Sequence, residues 1–126
     1  DLGVDFGFFG NRLNVSFDYF NKTTKAANLI KAKGVKNVII TMGAKGAFVC
    51  TDTICELVPS YKVKAVDTTG AGDIFNGALV LAISEGRDWI EATRFACKTS
   101  AIAVTRIGAQ SSAPYRNEVD VFNPEK

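Results

Sequence analysis

Two hydrophobic periodicities alternate along this chain and divide it into predicted strands and helices. Leu2, Val4, Phe6 and Phe8 alternate with other residues, Gly10-Asn11-Arg12 offers a turn, and Leu13, Val15, Phe17 and Tyr19 alternate again. A period of two on both sides of a turn predicts a β-hairpin with an aromatic-rich face. From Thr23 the period lengthens. Thr23 or Thr24 is placed to cap, Ala26, Ala27, Leu29, Ile30 and Ala32 form a helical stripe, and Gly34 ends it. Val35–Thr41 has its apolar residues in a consecutive central run, the texture of a buried parallel strand. Met42–Gly46 then reads as a turn, with short antiparallel strands at Ala47–Cys50 and Ile54–Val58.

Beyond Pro59, Tyr61–Val66 alternates apolar and charged residues as a strand would. The run Asp67-Thr68-Thr69-Gly70-Ala71-Gly72-Asp73 follows, and Ile74, Phe75, Ala78, Leu79, Leu81 and Ala82 continue at helical spacing to about Glu85. Gly86 breaks that helix. A second is predicted from Asp88 to about Val104, a loop through Gly108 and Pro114, and a short helix around Asn117–Phe122. Phe75, Trp89 and Phe95 fall on apolar helical stripes and are expected in the core.

The chemistry concentrates where the strand-like run meets the helix. Gly70, Ala71 and Gly72 carry little or no side chain, so a ligand can approach their backbone closely. The first N–H groups of a helix lack internal partners and carry partial positive charge, which makes phosphate the natural guest. Asp73 falls in the first helical turn, in reach of a proton on an alcohol attacking that phosphate. On spacing alone Asp73 also suits a plain helix-capping role.

Composition narrows the choices. The chain has 126 residues, one domain's length, and a net charge of +2 with Lys and Arg scattered rather than striped. Nucleic acid is not an expected partner. Histidine is absent, which removes Ser-His-Asp and Cys-His catalysis and any His-ligated metal. Cys50, Cys55 and Cys97 are odd in number and show no C-x-x-C spacing. Buried free thiols in a reducing compartment are therefore expected. No apolar run has transmembrane-helix length and no signal-peptide pattern is evident, so a cytoplasmic location without membrane contact is the expectation.

The run DTTGAGDIFNGAL resembles the second signature of the PfkB (ribokinase-like) sugar-kinase family, and the likeness extends from about Ala27 to Phe122. The resemblance implies an α/β fold: the C-terminal part of a ribokinase-like three-layer αβα sandwich, here with an atypical N-terminal β-hairpin. It implies that Asp73 is the base and that the amides of Gly70, Ala71 and Gly72 form an anion hole for the transferred phosphoryl group. Thr41-Met42-Gly43-Ala44-Lys45-Gly46 resembles the family's nucleotide loop, although a GAKG sequence is also an ordinary β-turn. Cys97 occupies the position from which the family's helix reaches adenine; helix packing is the equally open alternative.

Ala103-Val104-Thr105-Arg106-Ile107-Gly108-Ala109-Gln110-Ser111-Ser112-Ala113-Pro114 resembles the loop of the family's ribokinase branch. That resemblance implies a monovalent cation, usually K⁺, held by the Asp67 carboxylate with carbonyls or hydroxyls of Thr69, Ala103, Arg106, Gly108 and Ser112. As bare sequence it is a helix connection. The implied cofactors are ATP, Mg²⁺ and K⁺, and the implied reaction is phosphoryl transfer to the 5-hydroxyl of D-ribose. Fructose or 2-keto-3-deoxygluconate kinases of the same family, or a non-catalytic nucleotide-binding remnant, are the alternatives. The sugar-binding half, its lid strands and the family's N-terminal glycine-rich signature have no counterpart here, so little activity is expected of the chain alone. A homodimer is implied only for an intact parent.

Residues 1–25 differ in texture and resemble a strand pair of SusC-type TonB-dependent outer-membrane receptors. They are expected to be a hairpin-like segment of foreign origin joined near Lys25-Ala26 to the kinase-like domain at 26–126; the alternative is a divergent native hairpin covering a sheet edge.

Overall fold

The computed structural model describes residues 16–124. They fall into two compact units that divide between Pro59 and Ser60.

The first unit opens with helix α1 (Ser16–Lys31), followed by strands β1 (Val38–Thr41), β2 (Ala47–Cys50) and β3 (Cys55–Val58). The helix begins seven residues before the predicted cap at Thr23, and Thr23 is fully buried within it. The predicted second hairpin strand is therefore corrected from Ser16 onward, whereas Leu2–Phe8 and the Gly10-Asn11-Arg12 turn lie outside the described residues. The short alternation Val15, Phe17, Tyr19 misled because Phe17 and Phe20, three apart, suit a helix equally well. Helix α1 also runs through the expected junction at residues 25 and 26.

Gly34 ends that helical segment with φ +102°, donating its N–H to Lys31 O at 2.9 Å. The Lys31 ammonium reaches Lys36 O at 2.9 Å and pairs with Asp52 at 3.3 Å. The three strands form an antiparallel sheet in the order β1-β2-β3, with Val38 opposite Cys50 and Ala47 opposite Val58. Among the described residues β1 thus pairs antiparallel, not parallel as its apolar run predicts. A turn as tight as Met42–Gly46 can only send the chain back alongside itself. Ala26, Ala27, Val38, Ile40, Met42, Phe48 and Cys50 pack as this unit's core.

Cys50 and Cys55 are bridged, which corrects the expectation of free thiols. They are register partners across β2 and β3, an opposition that counting cysteines does not reveal. Cys97 is the free, buried thiol among the described residues.

The second unit contains α2 (Ala71–Ser84), α3 (Trp89–Ala103) and α4 (Arg116–Val121), close to the predicted spans. No strand forms at Tyr61–Val66. Alternation marks a half-covered extended segment, and a strand additionally requires a neighbour to complete its ladder. The segment instead ends with the Val66 and Asp67 amides both donating to Val104 O, at 2.7 and 3.1 Å.

Helices α2 and α3 pack against each other, and Phe75, Ala78 and Ala82 on one and Ala92, Phe95, Ala96 and Thr99 on the other are buried. Alanines permit close approach, while each buried phenylalanine contributes about 1.5–3 kcal/mol. Trp89 is only half-buried, short of its expected core position. The buried hydroxyls of Thr93 and Thr99 donate within their own helix, to Trp89 O and Phe95 O at 2.7 and 2.8 Å. Asp88 caps α3 by accepting the Glu91 amide at 2.8 Å. Helix α4 is anchored by Arg116, whose guanidinium makes two bonds of 2.7 and 3.0 Å to Glu85 and lies 5.1 Å from the Phe95 ring centre.

Candidate active site

The Asp67–Asp73 turn is held by a carboxylate. Asp67 Oδ1 accepts the Thr69 amide at 2.9 Å, and Oδ2 accepts the Gly108 amide at 2.9 Å, 41 residues further along the chain. One side chain therefore shapes its own turn and fastens the loop that follows α3. The Gly108 amide above all, then the Thr69 hydroxyl and amide, hold the Asp67 carboxyl well below its ordinary value of 3.8, at about 2.

Gly70 follows in the left-handed region, φ +76°, as the residue that caps α2. A Cβ there would lie 2.9 Å from the Ala109 Cβ, so glycine is required by both conformation and space. The Ala71 N–H donates to Thr68 O at 3.2 Å, and Ile74 N–H closes the first helical bond, on Gly70 O at 3.0 Å. The amides between them, of Gly72 and Asp73, belong to the helix's first turn and have no intrahelical acceptor. Gly72 and Asp73 are exposed, and a Cβ on Gly72 would meet nothing within 4 Å. This end of α2 presents backbone donors and one carboxylate to an incoming group.

Helix α3 supports the turn from below. Ser100 donates to Ala71 O at 3.2 Å, and Val104 O receives the two amides already described. The bracing roles of both residues carried no sequence signal, because each acts across a long separation through a hydroxyl or a carbonyl. Gly108 has φ +99°, and a Cβ there would collide with the Ser111 hydroxyl. Ser112, 1% exposed, donates to Ala109 O at 2.7 Å. Ala103 O accepts the Arg106 amide at 3.0 Å, and the Arg106 guanidinium is bound to Glu118. The residues expected around a cation thus lie on two segments that Asp67 joins directly: Thr69 beside it, and Ala103, Arg106, Gly108 and Ser112 on the facing loop.

Cys97 is 2% exposed on α3, and burial pushes its thiol up to about 12. The side chain packs as a neutral, unreactive group.

In the first unit, residues 41–46 carry the other candidate turn. Gly43 has φ +58° and Gly46 φ +113°. Met42 N–H donates to Gly46 O at 2.8 Å, Lys45 N–H to Met42 O at 3.2 Å and Gly46 N–H to Gly43 O at 3.1 Å. Met42 is buried in the unit's core, Gly43 and Ala44 are exposed, and Lys45 is half-exposed.

A glycine-shaped helix entrance fastened by a remote loop leaves backbone donors where an anion can approach. The sequence model of the pfkB family carbohydrate kinases matches residues 12–116, and the chain belongs to that family. It is 47% identical over 98 residues to the ribokinase of Haemophilus influenzae, covering 78% of this chain and 32% of that one. The crystal structure of the Thermotoga maritima ribokinase shares 51% identity with a TM-score of 0.74, over 76% of this chain and 32% of its own. An E. coli structure described as Ribokinase II, in complex with ATP and Mg²⁺, gives 35% and 0.73 over 77% and 32%. The fold is accordingly ribokinase-like α/β, and the chain spans about a third of the length of these relatives. The receptor resemblance of residues 1–25 finds no support: the family match begins at residue 12, inside that stretch.

Proposed function

We propose that this chain is the phosphoryl-transfer part of an ATP-dependent sugar kinase of the ribokinase type. The observation that carries the reading is the clamp at Asp67, which sets the amides of Gly72 and Asp73 and the Asp73 carboxylate at one helix entrance. In this reading Asp73 takes the proton from the attacking sugar hydroxyl, and Gly70–Gly72 form the backbone cradle for the moving phosphoryl group. Charge spread over a metaphosphate-like group is best met by fixed backbone donors, which need no reorganisation as the reaction proceeds. Within the cradle the Gly72 amide is the principal donor, since Ala71 N–H already bonds to Thr68 O.

Thr41–Gly46 would hold nucleotide through backbone that glycine leaves uncovered, with Lys45 adding charge near a phosphate. Cys97 would line the adenine region by packing alone. Mg²⁺ would be held with the nucleotide, where it would neutralise phosphate charge. K⁺ fits the oxygens available here, one carboxylate among carbonyls and hydroxyls: Asp67, Thr69, Ala103, Arg106, Gly108 and Ser112 would hold it, and its contribution would be to order the turn. Ribose as the acceptor is supported by the ribokinase names of the relatives and by the VTRIGAQSSAP loop. A cytoplasmic location accords with this substrate class; among the described residues no helix is long and apolar enough to cross a membrane. Homodimerisation belongs, in this reading, to the complete kinase.

The test is Asp73→Asn in a complete kinase containing this segment. Turnover falls by about 10²–10⁴-fold while ATP affinity is retained; an active variant removes Asp73 from the base role. In parallel, the 126-residue chain supplied with MgATP, KCl and ribose forms little ribose phosphate. Nucleotide binding by the chain without turnover supports the division of labour, and appreciable turnover refutes it.

A further inference from the structure

We propose that Cys50 and Cys55 form a reversible thiol–disulfide couple that fastens and releases the edge strand β3. Three observations carry this, independently of the kinase reading. The first is opposition: the two residues face each other across β2 and β3, with Cα atoms 4.0 Å apart. The second is that the hairpin tip does not depend on the bridge. Thr51 N–H donates to Ile54 O at 2.7 Å, and the Thr51 hydroxyl accepts the Thr53 and Ile54 amides at 3.3 and 3.2 Å. The sulfurs therefore remain opposed after the bond is broken, which is what a reversible couple requires.

The third is unequal access. Cys50 is fully buried in the core with Ile40, Met42 and Phe48, whereas Cys55 is exposed on the outer strand. An incoming thiolate thus reaches the Cys55 sulfur. It forms a mixed disulfide there as the S–S bond breaks, and Cys50 leaves with the electron pair and takes up a proton. A second thiol of the glutathione class then attacks the mixed disulfide and frees Cys55, so two glutathiones are oxidised to one glutathione disulfide as one protein bridge becomes two thiols. The reverse uses glutathione disulfide, captured by Cys55 and resolved by Cys50. Along β3 only Val58 is buried, so loss of the bridge leaves a strand with little to hold its Cys55 end.

The experiment equilibrates the chain in buffers from mostly oxidised to mostly reduced glutathione, traps thiols by alkylation and locates the label by mass spectrometry. The bridged fraction of the Cys50–Cys55 pair is expected to change by roughly tenfold or more across that series and to recover when the buffer is reversed. A bridge that never forms, or one that persists unchanged in the folded chain throughout, overturns the proposal. Glutathionylation should appear on Cys55 in Cys50→Ser and be roughly tenfold slower on Cys50 in Cys55→Ser; equal rates overturn the assigned order of attack. Cleavage after Glu56 by a glutamate-specific protease should accelerate roughly tenfold on reduction. Unchanged cleavage overturns the release of β3.

Discussion

The turn at residues 42–46 and the turn at 67–73 both use glycine at positive φ, yet they are closed by different means. The first is secured within five residues by backbone bonds among Met42, Gly43, Lys45 and Gly46. The second depends on a carboxylate that spans 41 residues to Gly108 and on a carbonyl of Val104 that collects two amides. A local turn forms wherever its residues allow it. A clamped turn exists only when the rest of its unit has folded, so its geometry is a product of tertiary structure and can be as fixed as phosphoryl transfer demands.

Asp67→Asn breaks this contrast most severely. The amide keeps one acceptor oxygen but turns an NH₂ group toward the second backbone N–H, a donor facing a donor. The melting temperature is expected to fall by several degrees in thermal unfolding, and hydrogen exchange at the Gly108 amide to quicken. Ala44→Ser, at an exposed position of the local turn, should leave both nearly unchanged. If the two substitutions behave alike, the distinction between clamped and local turns fails.

Glycine substitutions sharpen the comparison on a smaller scale. Gly70→Ala combines φ +76° with a 2.9 Å approach to Ala109 and is expected to cost about 1–3 kcal/mol in urea unfolding. Gly34→Ala shares the conformational penalty at φ +102° but has nothing within 4 Å, and should cost only about 1 kcal/mol. Equal costs would mean that the facing loop yields freely.

The mildest effect is that of acid. Because the Asp67 carboxyl is depressed to about 2 from an ordinary 3.8, its contribution is complete above pH 3.8 and is lost as pH falls toward 2. Glu85 beside Arg116 and Glu118 beside Arg106 are lowered as well and add to the same acid limb. Stability measured by chemical unfolding should fall across this window, less steeply in Asp67→Asn. A wild-type profile that is flat from pH 4 to 2 would contradict the clamp.

The helices of the second unit were legible in sequence because each carries a continuous apolar stripe closed by its own punctuation: Gly70 before α2, Gly86 after it and Asp88 before α3. The candidate turns were legible for a similar reason, since small residues in a fixed run imply accessible backbone. Three features were not. The start of α1 was hidden by an alternation too short to separate a period of two from one of 3.6. Tyr61–Val66 has a strand's pattern without a strand's neighbour. The Cys50–Cys55 bridge arises from register, which depends on how β2 meets β3 and not on any cysteine motif.

By itself, then, the sequence determined the chemistry offered at residues 67–73: glycines where backbone must be exposed, a carboxylate in the first turn of a helix, and no histidine to compete for the role of base. Tertiary structure alone decided that Asp67 reaches Gly108 and that Ser100 and Val104 brace the turn. Periodicity and residue type act over a few positions, whereas these contacts join groups 29 to 41 residues apart, which only packing brings within bonding distance.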